Sequence, residues 1–171
     1  MRTILIAILI LTCGCSSTVY THGVPNLAQV GPGVWRSGQP TTAAAWAYLR
    51  SIGVKRVVKL NFEEEGSDDG ARAAGMEVVY LPIEPSGDVF TVFAKPDASR
   101  VDAAVAAMGA GGGVLTHCTH GQDRTGEIVA IYRIRHDHWR KSSARREMIA
   151  LGFHPELPGL EDYWEDDVPA K

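Results

Sequence analysis

The chain has 171 residues, 45% of them hydrophobic and 22% charged, enough for one sizeable core and too few for two domains of ordinary size. Its formal net charge is -3 and it carries no basic block, so nucleic-acid binding has no electrostatic support, and an anionic ligand has to be attracted locally. A single folded domain over residues 30–171, working as a monomer, is the expected organisation.

At the N-terminus, Arg2, an apolar run from Ile4 to Leu11 and the small-residue patch Thr12-Cys13-Gly14-Cys15-Ser16-Ser17 have the layout of a bacterial export signal. The run is too short for an ordinary membrane-spanning helix. Ending in Gly14-Cys15-Ser16-Ser17, it resembles a lipoprotein signal. That resemblance implies a signal over residues 1–15, a diacylglycerol group on Cys15, and an exported domain attached to a membrane of the bacterial cell envelope on its periplasmic or extracytoplasmic face. Two acyl chains anchor stably where one is marginal. Thr12 stands where such signals usually carry leucine, which leaves cleavage elsewhere or an uncleaved anchor as alternatives. With Cys13 and Cys15 assigned to the signal, Cys118 is left alone in the domain, without a disulfide framework or a resolving partner, and exposed to over-oxidation.

Residues 16–29 show no periodicity and read as a mobile tether. Gly33 to Ser37 suits a short strand, Gly38-Gln39-Pro40 a turn, and Thr41 or Thr42 the cap of a helix through Ala43 to Arg50 that Gly53 stops. Trp35 and Trp46 read as core packing. Val54 to Leu60 is a β-branched run expected to form a central strand. The acidic cluster Glu63-Glu64-Glu65 and Asp68-Asp69 is expected to face solvent and to begin a helix ending at Gly75. Glu77 to Leu81 is the next strand, Pro82 to Phe90 a loop, and Asp97 to Met108 a helix halted by the glycines from Gly109 to Gly113. Val114 to His117 follows as a buried strand, then a helix from Arg124 to His138 with Ile128, Ile131, Tyr132 and Ile134 facing the core. Ser142 is expected to cap a helix through Leu151, and Leu160 to Asp167 to dock as a short helix. His136 and His138 fall on different faces and read as surface residues. Strands alternating with helices predict an α/β fold, a mostly parallel central sheet of four to five strands flanked by helices, with its active loop at a strand's C-terminal end.

That loop is His117-Cys118-Thr119-His120-Gly121-Gln122-Asp123-Arg124-Thr125-Gly126. A tight turn from a strand into a helix points several N–H groups inward, and these amides with the positive helix end form an anion site. Thr119, His120, Gly121, Gln122, Asp123 and Arg124 would surround one phosphate lying over Cys118. A free thiol titrates near about 8.5, but inward amides, a helix N-terminus and a guanidinium all favour the thiolate, so Cys118 is expected to be a nucleophile. Arg124 offers a planar fork for two phosphate oxygens, Gly121 a sharp turn, and Thr125 a hydroxyl able to bond the sulfur. A metal site from His117, Cys118 and His120 lacks the common zinc spacings, so no metal or other cofactor is expected. His117 reads as a support for the loop and the thiolate.

At His117, Cys118, Gly121, Arg124, Thr125 and Gly126 the chain resembles the signature loop of the cysteine-dependent protein tyrosine and dual-specificity phosphatases. The segment Val34-Trp35-Arg36-Ser37-Gly38-Gln39-Pro40 is similar to the entry stretch of bacterial members. The resemblance implies metal-free hydrolysis of a phosphorylated protein or small phosphomonoester through a cysteinyl-phosphate. It also implies a general acid on a loop upstream of the cysteine: Asp88 fits that place, with Glu84 its rival, while some bacterial tyrosine and lipid phosphatases point instead to the loop aspartate, here Asp123. Members that act on inositol phosphates or phosphoinositides tend to carry lysines in this loop, so the resemblance, with Thr119, His120, Gln122 and Asp123 at the variable positions here, implies singly phosphorylated targets. Two other readings stay open: a module that recognises phosphorylated partners without turnover, and a sulfur-transfer enzyme.

Overall fold

Val57 and Val58, and likewise Val114 and Leu115, are fully buried although adjacent in sequence. Successive side chains of a strand point to opposite faces, so both strands must be covered on both sides. The computed structural model, which describes residues 18–85 and 91–170, meets this requirement with a five-stranded sheet between two layers of helices. The predicted export signal lies outside the described residues.

The sheet contains β3 (Ala28–Gly31), β4 (Val34–Ser37), β5 (Arg56–Lys59), β6 (Glu77–Tyr80) and β7 (Val114–His117), in the spatial order β3-β4-β7-β5-β6. Only the β3–β4 pair is antiparallel, so the mostly parallel α/β fold is the one the alternation of elements predicts. One face carries α1 (Ala43–Ser51) and α2 (Asp69–Ala73), packed through Trp46, Leu49 and Ala71 onto Val57 and Leu115. The other carries α3 (Ala98–Gly109), α4 (Asp123–Arg135), α5 (Lys141–Ala150) and α6 (Pro158–Asp166), whose core includes Val58, Val114, Ile128, Ile131, Ile134 and Trp164. Each such side chain, once fully buried, contributes about 1.5–3 kcal/mol. Tyr132 and Trp35 pack at the margins of these two clusters.

Several boundaries differ from the sequence reading. The aperiodic stretch before β3 contains β1 (Tyr20–Thr21) and β2 (Val24–Pro25), an antiparallel pair too short to leave a readable alternation, with Val24 fully buried beside α1. Thr42 is the cap of α1, its Oγ1 accepting from Ala45 N at 3.1 Å. α4 stops at Arg135, because the left-handed backbone at His138 cannot continue a helix. α5 starts at Lys141 with Arg140 as its cap, two residues ahead of the predicted cap Ser142. The acidic cluster does not simply face solvent: Glu65 is partly buried and Asp68 fully buried, for reasons that belong to the site.

One buried charge is unconnected with the site. Glu127 of α4 is 1% exposed, its Oε1 lacks a hydrogen-bond partner among the described residues, and Arg145 nearby is committed to Glu161 at 2.6 and 2.7 Å. Burial, reinforced by the Glu161 charge, pushes its carboxyl well above the ordinary glutamate value of 4.5. Below that pH the group is neutral in both folded and unfolded chains and costs nothing. As pH rises toward the elevated folded value, only the unfolded chain sheds the proton, and stability falls. Glu127→Gln should therefore melt a few degrees higher than the parent at neutral pH, with the gap closing as pH drops below about 4.5, as thermal denaturation across that range would show.

Candidate active site

β7 lies at the middle of the sheet and ends at His117, flanked in register by Ser37 of β4 and Lys59 of β5. The loop leaving it is therefore delivered where the C-terminal ends of three parallel strands converge, the ligand-binding edge of such sheets.

Three successive carbonyls of this loop are held from outside. Thr119 O accepts from Gln39 N at 3.0 Å, His120 O from Asn26 Nδ2 at 2.9 Å, and Gly121 O from Arg36 Nη2 at 2.6 Å. In a planar trans peptide the next residue's N–H points opposite to the carbonyl, so the amides of His120, Gly121 and Gln122 face inward. Gly121 N–H accordingly meets Cys118 Sγ at 3.3 Å. Gly121 has φ +74, and a Cβ there would collide with the backbone of Ser37 and Gly38, so only glycine allows the loop to lie this close to β4.

Cys118 is 3% exposed and belongs to the core cluster that also holds Val114 and Ile128, while its Sγ accepts from the Gly121 N–H. Arg36 and Arg124 both feel its charge. Arg36, buried beneath the loop, is drawn below the ordinary arginine value by desolvation, against the opposing pull of the Cys118 charge.

Arg124 opens α4 and is held by Glu65: Nη1 donates to Oε2 and Nη2 to Oε1, each at 2.7 Å, while Nη2 also donates to Thr119 Oγ1 at 3.0 Å. Thr119 in turn donates to Glu65 Oε1 at 2.8 Å. Desolvation pulls Arg124 down, but the bonds to Glu65 and the Cys118 charge outweigh it and raise its pKa. Burial likewise pushes Glu65 up, and the bonds from Arg124 and from the Phe62 N–H overcome this and hold its carboxyl below the ordinary range. Of the five guanidinium donors, two serve Glu65 and one serves Thr119, so the side chain is locked in orientation before any ligand arrives.

The remaining predicted residues are placed as follows. His117 is fully buried, with Nε2 2.9 Å from Asp68 Oδ2. Thr125 Oγ1 is buried without a hydrogen-bond partner among the described residues, so the bond to the sulfur read from the sequence is not formed here. His120 is exposed. Asp123 Oδ1 accepts from His154 N and pairs with His154 Nδ1, both at 2.9 Å, tying the start of α4 to the segment after α5. Glu84 stands 3.9 Å from Arg100. Asp88 lies outside the described residues. Arg36, Gln39, Glu65 and Asp68 join the site without having been singled out in the sequence. The available signal was position, since Glu65 and Asp68 follow the C-terminal end of β5, on the same sheet edge as Cys118.

A cysteine at the end of a central parallel strand, under inward amides and beside a clamped arginine, defines the class of cysteine-dependent phosphatase loops. Residues 30–138 match the family model for the DSP-PTPase phosphatase of polymorphic toxin systems, and the chain belongs to that family. It is 33% identical over 135 residues to the dual specificity protein phosphatase TpbA of Pseudomonas aeruginosa, a match that covers 77% of this chain and 56% of that one. The chain thus spans little more than half the length of that relative. The crystal structure of P. aeruginosa TpbA superposes with a TM-score of 0.65 at 28% identity, covering 86% of this chain and 88% of that one. A cysteine-to-serine variant of TpbA in complex with pTyr gives a TM-score of 0.65 at 29% identity, over 82% and 83% of the two chains.

Proposed function

We propose that this chain is a protein tyrosine or dual-specificity phosphatase that hydrolyses phosphomonoesters through a cysteinyl-phosphate on Cys118. The observation that carries this reading is the outward fastening of the Thr119, His120 and Gly121 carbonyls, which turns the following amides toward a sulfur faced also by Arg124.

In the first step the Cys118 thiolate attacks phosphorus, the S–P bond forms, the ester P–O bond breaks, and the leaving oxygen takes a proton from the general acid. In the second, water attacks phosphorus and gives a proton to the carboxylate left by the first step, the S–P bond breaks, the thiolate and the acid are restored, and inorganic phosphate departs. The inward amides and the Arg124 guanidinium would stabilise the equatorial oxygens on which charge accumulates. Asp88 is the proposed acid, with Glu84 and Asp123 as the alternatives; the true donor is the one whose amide variant loses rate selectively on substrates with poor leaving groups. TpbA complexed with pTyr supports phosphotyrosine as a substrate here. Export and attachment through a diacylated Cys15 complete the proposal, and incorporation of labelled fatty acid into the expressed chain checks it.

Hydrolysis of a generic aryl phosphate in the presence of excess chelator tests the reading. Metal-independent turnover is the expected result. Phosphate binding without turnover would instead select a recognition module.

A further inference from the structure

A cavity of about 520 Å³ opens beside the phosphate loop, a size usual for small-molecule sites. Gly121 and Gln122 line it, whereas Cys118, Thr119 and Arg124 do not, so the reaction as described makes no use of it. Its other walls are the stretch holding Val19, Asn26 and Leu27 and the stretch from Ile149 to His154. Each wall is fastened. Val19 N–H donates to Asn26 Oδ1 at 3.0 Å and Asn26 N–H to Val19 O at 2.6 Å, while His154 is tied to Asp123 through its N and Nδ1. A cavity formed in advance loses little freedom when it is filled.

Arg36 brings charge to this cavity. The residue is 2% exposed yet reaches the cavity wall; its Nη2 donates to Gly121 O, and its Nη1 is buried without a hydrogen-bond partner among the described residues. Neither carboxylate whose charge it feels is free to pair with it: Glu147 is committed to Arg133 at 2.8 and 3.0 Å, and Asp123 to His154 at 2.9 Å. Cys118 on the loop and Arg133 on α4 complete the charges around it. A buried guanidinium with an unused donor favours an anion nearby. A dianionic phosphate would meet repulsion from Glu147 and Asp123 with one guanidinium to offset it, whereas a single carboxylate matches that guanidinium in charge and shape. Much of the remaining wall is apolar, with Leu27, Ile149, Leu151 and Phe153. We propose that this cavity binds an amphipathic monocarboxylate, a medium-chain fatty acid being the simplest form: the carboxylate meets Arg36 beside the loop, and the apolar body lies along those four side chains. The inference is independent of turnover at Cys118.

Isothermal titration of the full chain with decanoate, kept below its micelle concentration, should show a single class of site. Decan-1-ol, of the same length without the charge, should bind about tenfold more weakly. Ala150, exposed at the end of α5, also lines the cavity, so Ala150→Trp sets an indole in the space meant for the ligand. It should weaken decanoate by about tenfold or more while leaving hydrolysis of an aryl phosphate unchanged. In nitrogen-15 spectra of the unaltered protein, decanoate should shift the amides of Gly121, Gln122, Leu151 and Gly152, and inorganic phosphate should not displace it. Absence of binding by the full chain, equal affinity for the alcohol, undiminished affinity in folded Ala150→Trp, or displacement by inorganic phosphate would overturn the inference. If the variant does not fold, the amide shifts decide, and shifts confined to other residues overturn it. Binding requires no turnover, so a protein that takes decanoate in this way but hydrolyses nothing would retain this inference and lose the proposed function.

Discussion

Arg124→Lys is expected to lower kcat/KM on an aryl phosphate by roughly 10³-fold, near the lower end of the range for a transition-state arginine. Two losses combine. A lysine ammonium is a point charge that cannot span two oxygens of the transferring group, so the contact that strengthens as charge spreads is gone. It also cannot satisfy both oxygens of Glu65, which Arg124 now holds at 2.7 Å each with little exposure on either side chain. Removing one member of such a pair leaves the other partly buried and under-bonded, and the freed carboxylate then stands beside an incoming phosphate of like charge. A variant at Arg124 should thus lose more in kcat than in KM, because most of what it removes acts on the transition state. Equal kinetics for lysine and arginine would show that Arg124 supplies charge alone.

Cys118→Ser is expected to abolish turnover, by roughly 10⁴-fold or more, while phosphate binding persists. A serine hydroxyl is far less acidic than a thiol, and an inward amide with Arg36 and Arg124 nearby is not enough to ionise it at neutral pH. The loop's shape depends on the Gln39, Asn26 and Arg36 bonds and on Gly121, none of which involves the sulfur as its support. Isothermal titration with inorganic phosphate alongside an activity assay separates the two effects. A serine variant that retains substantial turnover would place the chemistry elsewhere.

These two residues could be nominated from the chain because the loop is local: strand, cysteine, turn and arginine lie within a short run of consecutive residues that the structure folds as strand, turn and helix. Their supports were not. Glu65 reaches Arg124 across 59 residues, Asp68 reaches His117 across 49, and Arg36 reaches Gly121 across 85. An acidic run after a strand is ordinarily solvated, and nothing in its composition tells which carboxylates turn back over the sheet edge. Burial of Glu65 and Asp68 becomes favourable only once partner donors are assembled by the fold. The same limit explains Thr125: its sequence position beside Arg124 suggested a bond to sulfur, whereas the helix turns its hydroxyl into a buried place without a partner among the described residues. The sheet, by contrast, was legible, since β-branched runs and glycine stops mark β5, β7 and their helices directly.

The account stands on a covalent phosphoryl group carried by Cys118. Rapid acid quench during turnover of an aryl phosphate, followed by mass spectrometry of the peptides, tests it most directly. A transient gain of one phosphoryl mass on the peptide containing Cys118, labile to reducing thiols and absent from Cys118→Ser, is the predicted result. Full turnover with no phosphorylated peptide, or with the phosphoryl group on another residue, would contradict it.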